Sequence, residues 1–243
     1  MCGRYAITLP PEAMRALFGY VEQPNFPPRY NIAPTQPIPV VTAREHTGGQ
    51  ERHFLLVRWG FLPGFVKNPK EFPLLINARA ESLAEKPSFR AAFKRRRCLV
   101  IADGFYEWRR EAPAGRKGPR QAYLIRRVDG GPMGFAGVME TWSDPNGGEI
   151  DTACIITTFA NGLMAGVHDR MPAIIPPETF SAWLDTDAVD VPQATAMLRP
   201  APDEALELVP IGPAVNSAAN DDHAIQAPIG DAIRAAAPAD GAL

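Results

Sequence analysis

The feature that most constrains the fold is a series of short apolar segments in the middle of the chain, each bounded by turn-forming residues. These segments are residues 98–102, 122–127, 133–141 and 150–159. Their lengths suit β-strands, and the last two are joined by the turn sequence Asp-Pro-Asn-Gly-Gly at 144–148. Strands joined in this way form an antiparallel meander. The sequence therefore predicts a β-rich core.

Short helices are predicted around these strands. Four of them have a proline at or near their first turn, a position that proline favours, and begin at Pro11, Pro87, Pro177 and Pro192. The stretch from residue 24 to 39 holds six prolines and cannot be helical. Strands with short peripheral helices define an α+β class.

Composition and length narrow the class of protein. The chain has 243 residues, of which 46% are hydrophobic and 21% charged, as in an ordinary globular domain. It shows no apolar run long enough for a bilayer and no signal peptide at its start, and three cysteines fit a reducing compartment. We therefore expect a cytoplasmic protein without a membrane partner.

Charge is distributed unevenly although the net charge is only −2. Residues 86–120 carry a balance of +8, and the residues from 200 onward carry −6. Such asymmetry permits a polyanion partner on one face. A solvated helix end and hairpin loop would explain the basic stretch equally well.

No metal or cofactor site is predicted. The four histidines and three cysteines lack metal-ligand spacing, and the sequence has no phosphate-binding loop.

Cys2 is the most unusual candidate for chemistry. Removal of Met1, expected when the second residue is small, would leave Cys2 with an adjacent free α-amine and thiol, a 1,2-aminothiol. Cys98 and Cys154 lie in apolar strands, where thiols behave as small hydrophobic groups. A plain N-terminal residue remains an alternative for Cys2.

Glu107 is a second candidate because Tyr106 and Trp108 flank it. A carboxyl group that aromatic rings shield from water is suited to proton transfer near neutral pH. An ion pair with Arg79 or Arg109 is the structural alternative.

Two further sets of polar residues follow strand periodicity. Residues 74–76 are expected to enter a strand in which Asn77, Arg79 and Glu81 share one face. His168 and Arg170 would share a face in another extended segment, although His168 could equally be a structural histidine.

Nine short motifs, in order along nearly the whole chain, resemble those of one family. They are Met1-Cys-Gly-Arg4, Tyr30-Asn-Ile-Ala-Pro34, Trp59-Gly-Phe-Leu-Pro63, Ile76-Asn-Ala-Arg-Ala-Glu81, Lys86-Pro-Ser-Phe-Arg90, Arg97-Cys98, Ala102-Asp-Gly-Phe-Tyr-Glu-Trp108, His168-Asp-Arg-Met-Pro172 and Val215-Asn-Ser217. The chain thereby resembles the SRAP family, the SOS-response-associated peptidase-like or abasic-site processing proteins.

The resemblance implies a single SRAP domain over residues 1–225, with an antiparallel, barrel-like β core and peripheral helices. Residues 226–243 would form an Ala/Pro-rich C-terminal tail, partly disordered. It also implies that mature Cys2 forms a thiazolidine crosslink with abasic sites in single-stranded DNA and protects the lesion in the SOS response. Self-removal of the residue before Cys2, or a lyase-like activity, would be secondary. We expect a monomer.

The same resemblance implies roles for individual residues. Glu107 would transfer protons, Asn77 would position Cys2 and the sugar, and His168 would assist at the Schiff base. The DNA-binding residues that it implies are Arg4, Arg79, Trp108, Thr157 and Arg170. Relatives tend to carry a tryptophan wedge in the loop after Gly60, where this chain offers only Phe65 or Phe72.

Two other functions are compatible with parts of the sequence. An N-terminal-nucleophile amidohydrolase would also begin Met-Cys-Gly, with the thiol attacking an amide and the α-amine acting as base. A non-covalent single-strand-binding module would need only the aromatic and basic residues, such as Trp59 and Trp108.

Overall fold

The computed structural model describes residues 2–46, 49–109, 120–144 and 147–236. Its strands are β1 (Tyr5–Ile7), β2 (Arg29–Ile32), β3 (Pro37–His46), β4 (Gly49–Trp59), β5 (Asn77–Arg79), β6 (Arg97–Ala102), β7 (Gly104–Trp108), β8 (Ala122–Arg127), β9 (Met133–Ser143), β10 (Glu149–Phe159), β11 (Arg170–Pro172), β12 (Ile174–Ile175), β13 (Leu206–Ile211) and β14 (Ile233–Arg234). Its α-helices are α1 (Pro11–Phe18), α2 (Ala80–Leu83), α3 (Arg90–Arg95), α4 (Gly162–Ala165), α5 (Phe180–Leu184) and α6 (Val191–Ala196). Short 3₁₀ helices lie at Pro177–Thr179, Asp203–Ala205, Pro213–Asn216 and His223–Gln226.

A closed barrel of five strands forms the core. Hydrogen bonding runs from β4 through β3, β6, β9 and β10 and back to β4. The closing contact between β4 and β10 is parallel, as is the pairing of β5 with β10. The predicted α+β class and barrel-like core are confirmed, while these two parallel pairings depart from the antiparallel pattern.

A second sheet packs beside the barrel in the order β14-β13-β8-β7-β1-β2. The N-terminal strand β1 lies between β7 and β2, with Tyr5 opposite Phe105 on one side and Ile32 on the other. This pairing brings the start of the chain beside the motif that ends in Trp108.

Burial along β6, β9 and β10 is nearly continuous rather than alternating, whereas most residues of β4 are half-buried or exposed. Every residue of β6 is buried, because one face fills the barrel and the other is covered by packed elements. Close packing also explains Gly137 in β9, where a Cβ atom would lie 2.9 Å from the Cys98 Sγ and 3.2 Å from the Cys154 carbonyl oxygen. Both cysteines are fully buried and free, as the sequence predicts.

Arg97 is a structural residue inside this packing. Its guanidinium donates hydrogen bonds to the backbone carbonyls of Trp183 (2.6 Å), Asp185 (2.6 Å) and Val189 (3.0 Å). Its neighbour Arg96 makes an ion pair with Glu140. Half of the basic run at 94–97 is therefore engaged within the protein, which reduces the positive surface predicted there.

The predicted helices and strands are confirmed for the most part, with residue-level differences. Helix α1 ends at Gly19, whose φ of 67° is the left-handed conformation that glycine favours. Residues 74–76 are not in a strand, and Glu81 lies in α2 rather than at the third position of a strand face. Ile233–Arg234, within the predicted tail, pairs with β13.

Three further predictions from the sequence are tested only in part or not at all. The domain boundary at 225 stays a prediction. The basic loop at 110–119 and part of the turn at 144–148 lie outside the described residues. Within the described ranges, no helix is both long enough and apolar enough to cross a bilayer.

Candidate active site around Cys2

Cys2 lies just before β1 and is fully buried. Its Sγ is 3.7 Å from the Arg4 carbonyl oxygen, which also accepts a hydrogen bond of 3.0 Å from the Tyr106 backbone N–H. Because β1 pairs with β7, this shared acceptor places Cys2 next to Glu107.

The Cys2 thiol is held in its neutral form. Burial raises the pKa of this thiol far above its ordinary value, and the nearby Glu107 carboxylate raises it further. A neutral thiol is a weak nucleophile until a base removes its proton. The environment of Cys2 thus favours chemistry in which the thiol reacts second, after another group has prepared the substrate.

Asn77 holds the Cys2 backbone in place. Its Nδ2 donates a 2.9 Å hydrogen bond to the Cys2 carbonyl oxygen. Its Oδ1 is buried and accepts no hydrogen bond from any residue that the structure describes. That oxygen is available to a donor on a ligand or on a processed chain terminus.

Glu107 is 3% exposed in the centre of the second sheet, opposite Tyr123 of β8. The adjacent Trp108 is half-buried, and its Nε1 donates a 2.7 Å hydrogen bond to the Asn216 side chain. The aromatic flank predicted from the sequence is present, with Tyr106 fully buried.

His168 is 6% exposed and has two neighbours at one nitrogen. Its Nδ1 accepts a 2.9 Å hydrogen bond from the Arg170 backbone N–H and lies 3.0 Å from the Asp169 carboxylate. In the neutral ring, Nδ1 accepts from the backbone and the proton resides on Nε2. Protonation of Nδ1 would instead form an ion pair with Asp169.

Arg170 is buried and committed to protein partners. Its terminal nitrogens make a bidentate ion pair with Glu81 at 2.9 and 3.0 Å, and one of them donates to the Thr157 carbonyl oxygen at 2.6 Å. Partial burial would raise the pKa of Glu81, but the hydrogen bonds from Arg170 outweigh it and hold that pKa below its usual value. This arrangement fixes Arg170 and leaves little of it for a phosphate.

Arg4 is engaged in a similar way. Its guanidinium donates to the Asn31 side chain (2.8 Å) and to the carbonyls of Val215 (2.9 Å) and Asn216 (3.2 Å). Arg4 and Trp108 therefore both bind Asn216, so the N-terminal strand and the Val-Asn-Ser motif form one unit.

Arg79 differs from the other two arginines. It is exposed on β5 and sits opposite Thr157 in the parallel pairing with β10. Its side chain makes no hydrogen bond to the described residues, and its charge helps to lower the pKa of Glu81. Thr157 is itself fully buried, with its hydroxyl donating to the Ala78 carbonyl oxygen at 3.3 Å.

The structure thus brings the predicted residues into two adjoining sets. Cys2, Asn77 and Glu107 form one, and His168 with Arg170 and Thr157 forms the other. Strands β5 and β10 join them, since Asn77 lies opposite Ile155 and Arg79 opposite Thr157.

Several partners were not predicted from the sequence. Asn31 donates to the carbonyls of Val215, Ser217 and Asn220, and Glu81 is the acid that binds Arg170. The motifs around Tyr30 and Val215 could have indicated the hydrogen bonds of Asn31. The opposite charges of Glu81 and Arg170, each in a motif, could have indicated their ion pair. In the described part of the chain, no cluster of three or more His, Cys, Asp or Glu side chains could hold a metal ion.

The fold and this site define a protein built around a buried cysteine at the start of the chain. The model of the SOS response associated peptidase (SRAP) family matches residues 1–218, and the chain belongs to that family. It is 34% identical over 223 residues to abasic site processing protein YoqW of Bacillus subtilis (strain 168), covering 90% of this chain and 96% of that one. It is 30% identical over 258 residues to abasic site processing protein HMCES of Xenopus tropicalis, covering 90% and 76%.

Solved structures show the same fold. A protein from Bacteroides thetaiotaomicron superposes with a TM-score of 0.79 at 24% identity, covering 93% of this chain and 98% of that one. A phage-related protein from Bordetella bronchiseptica superposes with a TM-score of 0.67 at 29% identity, covering 86% and 94%.

Proposed function

We propose that this protein captures abasic sites in single-stranded DNA by forming a thiazolidine crosslink through mature Cys2. The observation that carries the proposal is the placement of Cys2 between the Asn77 amide and the Glu107 carboxyl group. Membership of the SRAP family and the abasic-site names of its relatives support the choice of substrate.

The chemistry uses both functional groups of mature Cys2. The α-amine, with an ordinary pKa of about 8, attacks the ring-opened aldehyde of the abasic sugar and gives a Schiff base with loss of one water. The thiol then adds to the C=N carbon and its proton passes to the nitrogen, which closes a five-membered ring. This second step is intramolecular and gains from proximity. The neutral state of the buried thiol fits an order in which the amine reacts first.

The surrounding residues serve proton transfer and positioning. Glu107 takes and returns protons during ring opening and Schiff-base formation, since its buried carboxyl group lies near Cys2 on β7, the strand that pairs with β1. Asn77 holds the Cys2 carbonyl oxygen, and its unpaired Oδ1 binds a donor on the amine or the sugar. His168 supplies a further proton-transfer group through Nε2.

The residues proposed to bind DNA differ in how far they are already engaged in contacts within the protein. Arg79 is exposed and contacts phosphate directly, whereas Arg4 and Arg170 contribute positive potential from within their protein contacts. Thr157, proposed as a contact to the DNA backbone, is fully buried and acts through Arg170, which its carbonyl oxygen holds, and Trp108 packs against the DNA strand. Since these contacts read no base edges, binding is sequence-tolerant and weakens as salt rises.

Three oligonucleotides test the proposal. Single-stranded DNA with one abasic site should give a heat-stable adduct on a denaturing gel. The same strand with a tetrahydrofuran abasic analogue, which has no aldehyde, or with an intact base should give none. Equal retention of all three strands without an adduct would favour the non-covalent binding module.

Amidohydrolase activity is the competing outcome. Glutamine hydrolysis by the purified protein, together with failure to form the adduct, would overturn the proposal.

Self-removal of Met1 would be a secondary peptidase activity of the same site. We also propose that the protein acts as a cytoplasmic, DNA-associated monomer.

A further inference from the structure

Phe159 is an exposed aromatic residue that the proposed chemistry does not use. It is the last residue of β10, and 62% of its surface is exposed. The guanidinium carbon of Arg170 lies 5.1 Å from the centroid of its ring. This distance is within the range of a cation–π contact.

The Phe159 ring packs against an arginine that is held in place by other residues. Phe159 and Arg170 are direct cross-strand partners of β10 and β11, so their side chains lie on the same face of the sheet. Arg170 is itself fixed by Glu81 and Thr157, so it cannot swing away from the ring. One part of the Phe159 ring is thus covered by a fixed cation while the remainder faces solvent.

The surroundings favour a nucleic acid as the occupant of the exposed ring surface. Arg79, whose side chain is exposed and makes no hydrogen bond to the described residues, lies opposite Thr157, two residues before Phe159 in β10. An exposed cation on the strand next to an exposed ring matches the phosphate and the base of one nucleotide. His168 of the candidate site is two residues from Arg170 and contacts its backbone.

We infer that Phe159 stacks on an unpaired base of the DNA strand, next to the abasic nucleotide, while Arg79 binds the adjoining phosphate. The position relative to the abasic nucleotide rests on the proposed function. The stacking itself does not, because it requires only a single strand with bases.

Phe65 has the same exposure but a different environment. Its ring packs edge-to-face on Phe72 at a centroid distance of 6.3 Å, within one loop. Phe159 instead packs against the Arg170 cation and lies on β10, the strand that also carries Thr157. It is therefore better placed than Phe65 beside the site.

The test measures affinity for single-stranded DNA that contains a tetrahydrofuran abasic analogue, by fluorescence anisotropy. Phe159→Ala should weaken binding about tenfold, a loss within the range that base–aromatic stacking provides. Phe159→Trp should retain wild-type affinity. Ile229→Ala, which truncates a side chain of similar exposure (61%) beyond the residues matched by the family model, should have no effect.

A second oligonucleotide distinguishes loss of stacking from a general loss of DNA affinity. When the nucleotides on both sides of the analogue also lack bases, wild type and Phe159→Ala should bind equally well. Unchanged affinity of Phe159→Ala for the first strand, or the same loss on both strands, would overturn the inference. Because the analogue cannot form a crosslink, failure of covalent capture would leave this result unaffected, and loss of stacking would leave covalent capture standing.

Discussion

Replacing Cys2 with alanine should reduce the heat-stable adduct with abasic single-stranded DNA to background, a loss of at least about 10²-fold. The thiol is the group that closes the thiazolidine ring, and no hydroxyl or amide in the described site occupies the same position relative to the chain terminus. Denaturing gel electrophoresis after heating measures the effect. Binding to the tetrahydrofuran strand should change little, since the side chain contributes no charge.

The controls for this variant separate the amine from the thiol. Cys2→Ala retains an α-amine after Met1 is removed, so borohydride should trap its Schiff base with the abasic strand. Cys98→Ala removes another fully buried thiol and should leave the adduct intact at a cost in stability of about 1 kcal/mol. An undiminished heat-stable adduct from Cys2→Ala would contradict the proposed function.

Replacing Glu107 with glutamine should slow adduct formation by about 10²-fold, the lower end of the effect of a general acid–base residue. The substitution keeps the shape of a side chain that is 3% exposed but removes its ability to exchange a proton. The measurement is the single-turnover rate of adduct formation, with affinity for the tetrahydrofuran strand determined in parallel.

Glu140→Gln is the matched control for this variant. Glu140 is a half-buried acid in the barrel sheet that pairs with Arg96, and its loss should leave the rate unchanged. If Glu107→Gln lost rate and affinity in equal proportion, Glu107 would be a structural residue instead of a proton-transfer group.

The local parts of the fold were predictable because they depend on neighbouring residues. The apolar runs at 122–127 and 150–159 match β8 and β10 within one residue at either end, and Gly19 ends α1. Closure of the barrel was not predictable, since β4 and β10 pair in parallel across more than 90 residues of sequence. Periodicity reports which face of a strand is buried and does not identify a distant partner.

The candidate site shows the same division. Cys2, Asn77 and Glu107 stood out as unusual residue types within short motifs, and the structure places them together. The role of Glu81 depends on a change from strand to helix at Ala80, which turns its carboxylate toward Arg170.

No local sequence pattern predicts that Phe159 is exposed. An aromatic residue at the end of an apolar strand is usually buried. Its exposure follows from the position of β11, which places Arg170 beneath the ring and leaves the remaining surface open.

Capture as a thiazolidine requires that both the amine and the thiol of Cys2 join the abasic sugar. The measurement is intact-mass spectrometry of the wild-type protein before and after mixing with abasic single-stranded DNA, followed by borohydride treatment of the adduct, because a Schiff base and a thiazolidine have the same mass and only the Schiff base is reduced. We expect a starting mass that lacks Met1 and a product mass equal to that protein plus the DNA strand minus one water, unchanged by borohydride because a thiazolidine has no C=N bond to reduce. A protein that lacks Met1 and still shows no mass increase, a product that carries the full mass of the strand with no water lost, or a product that gains two hydrogens on borohydride treatment would contradict capture by both groups.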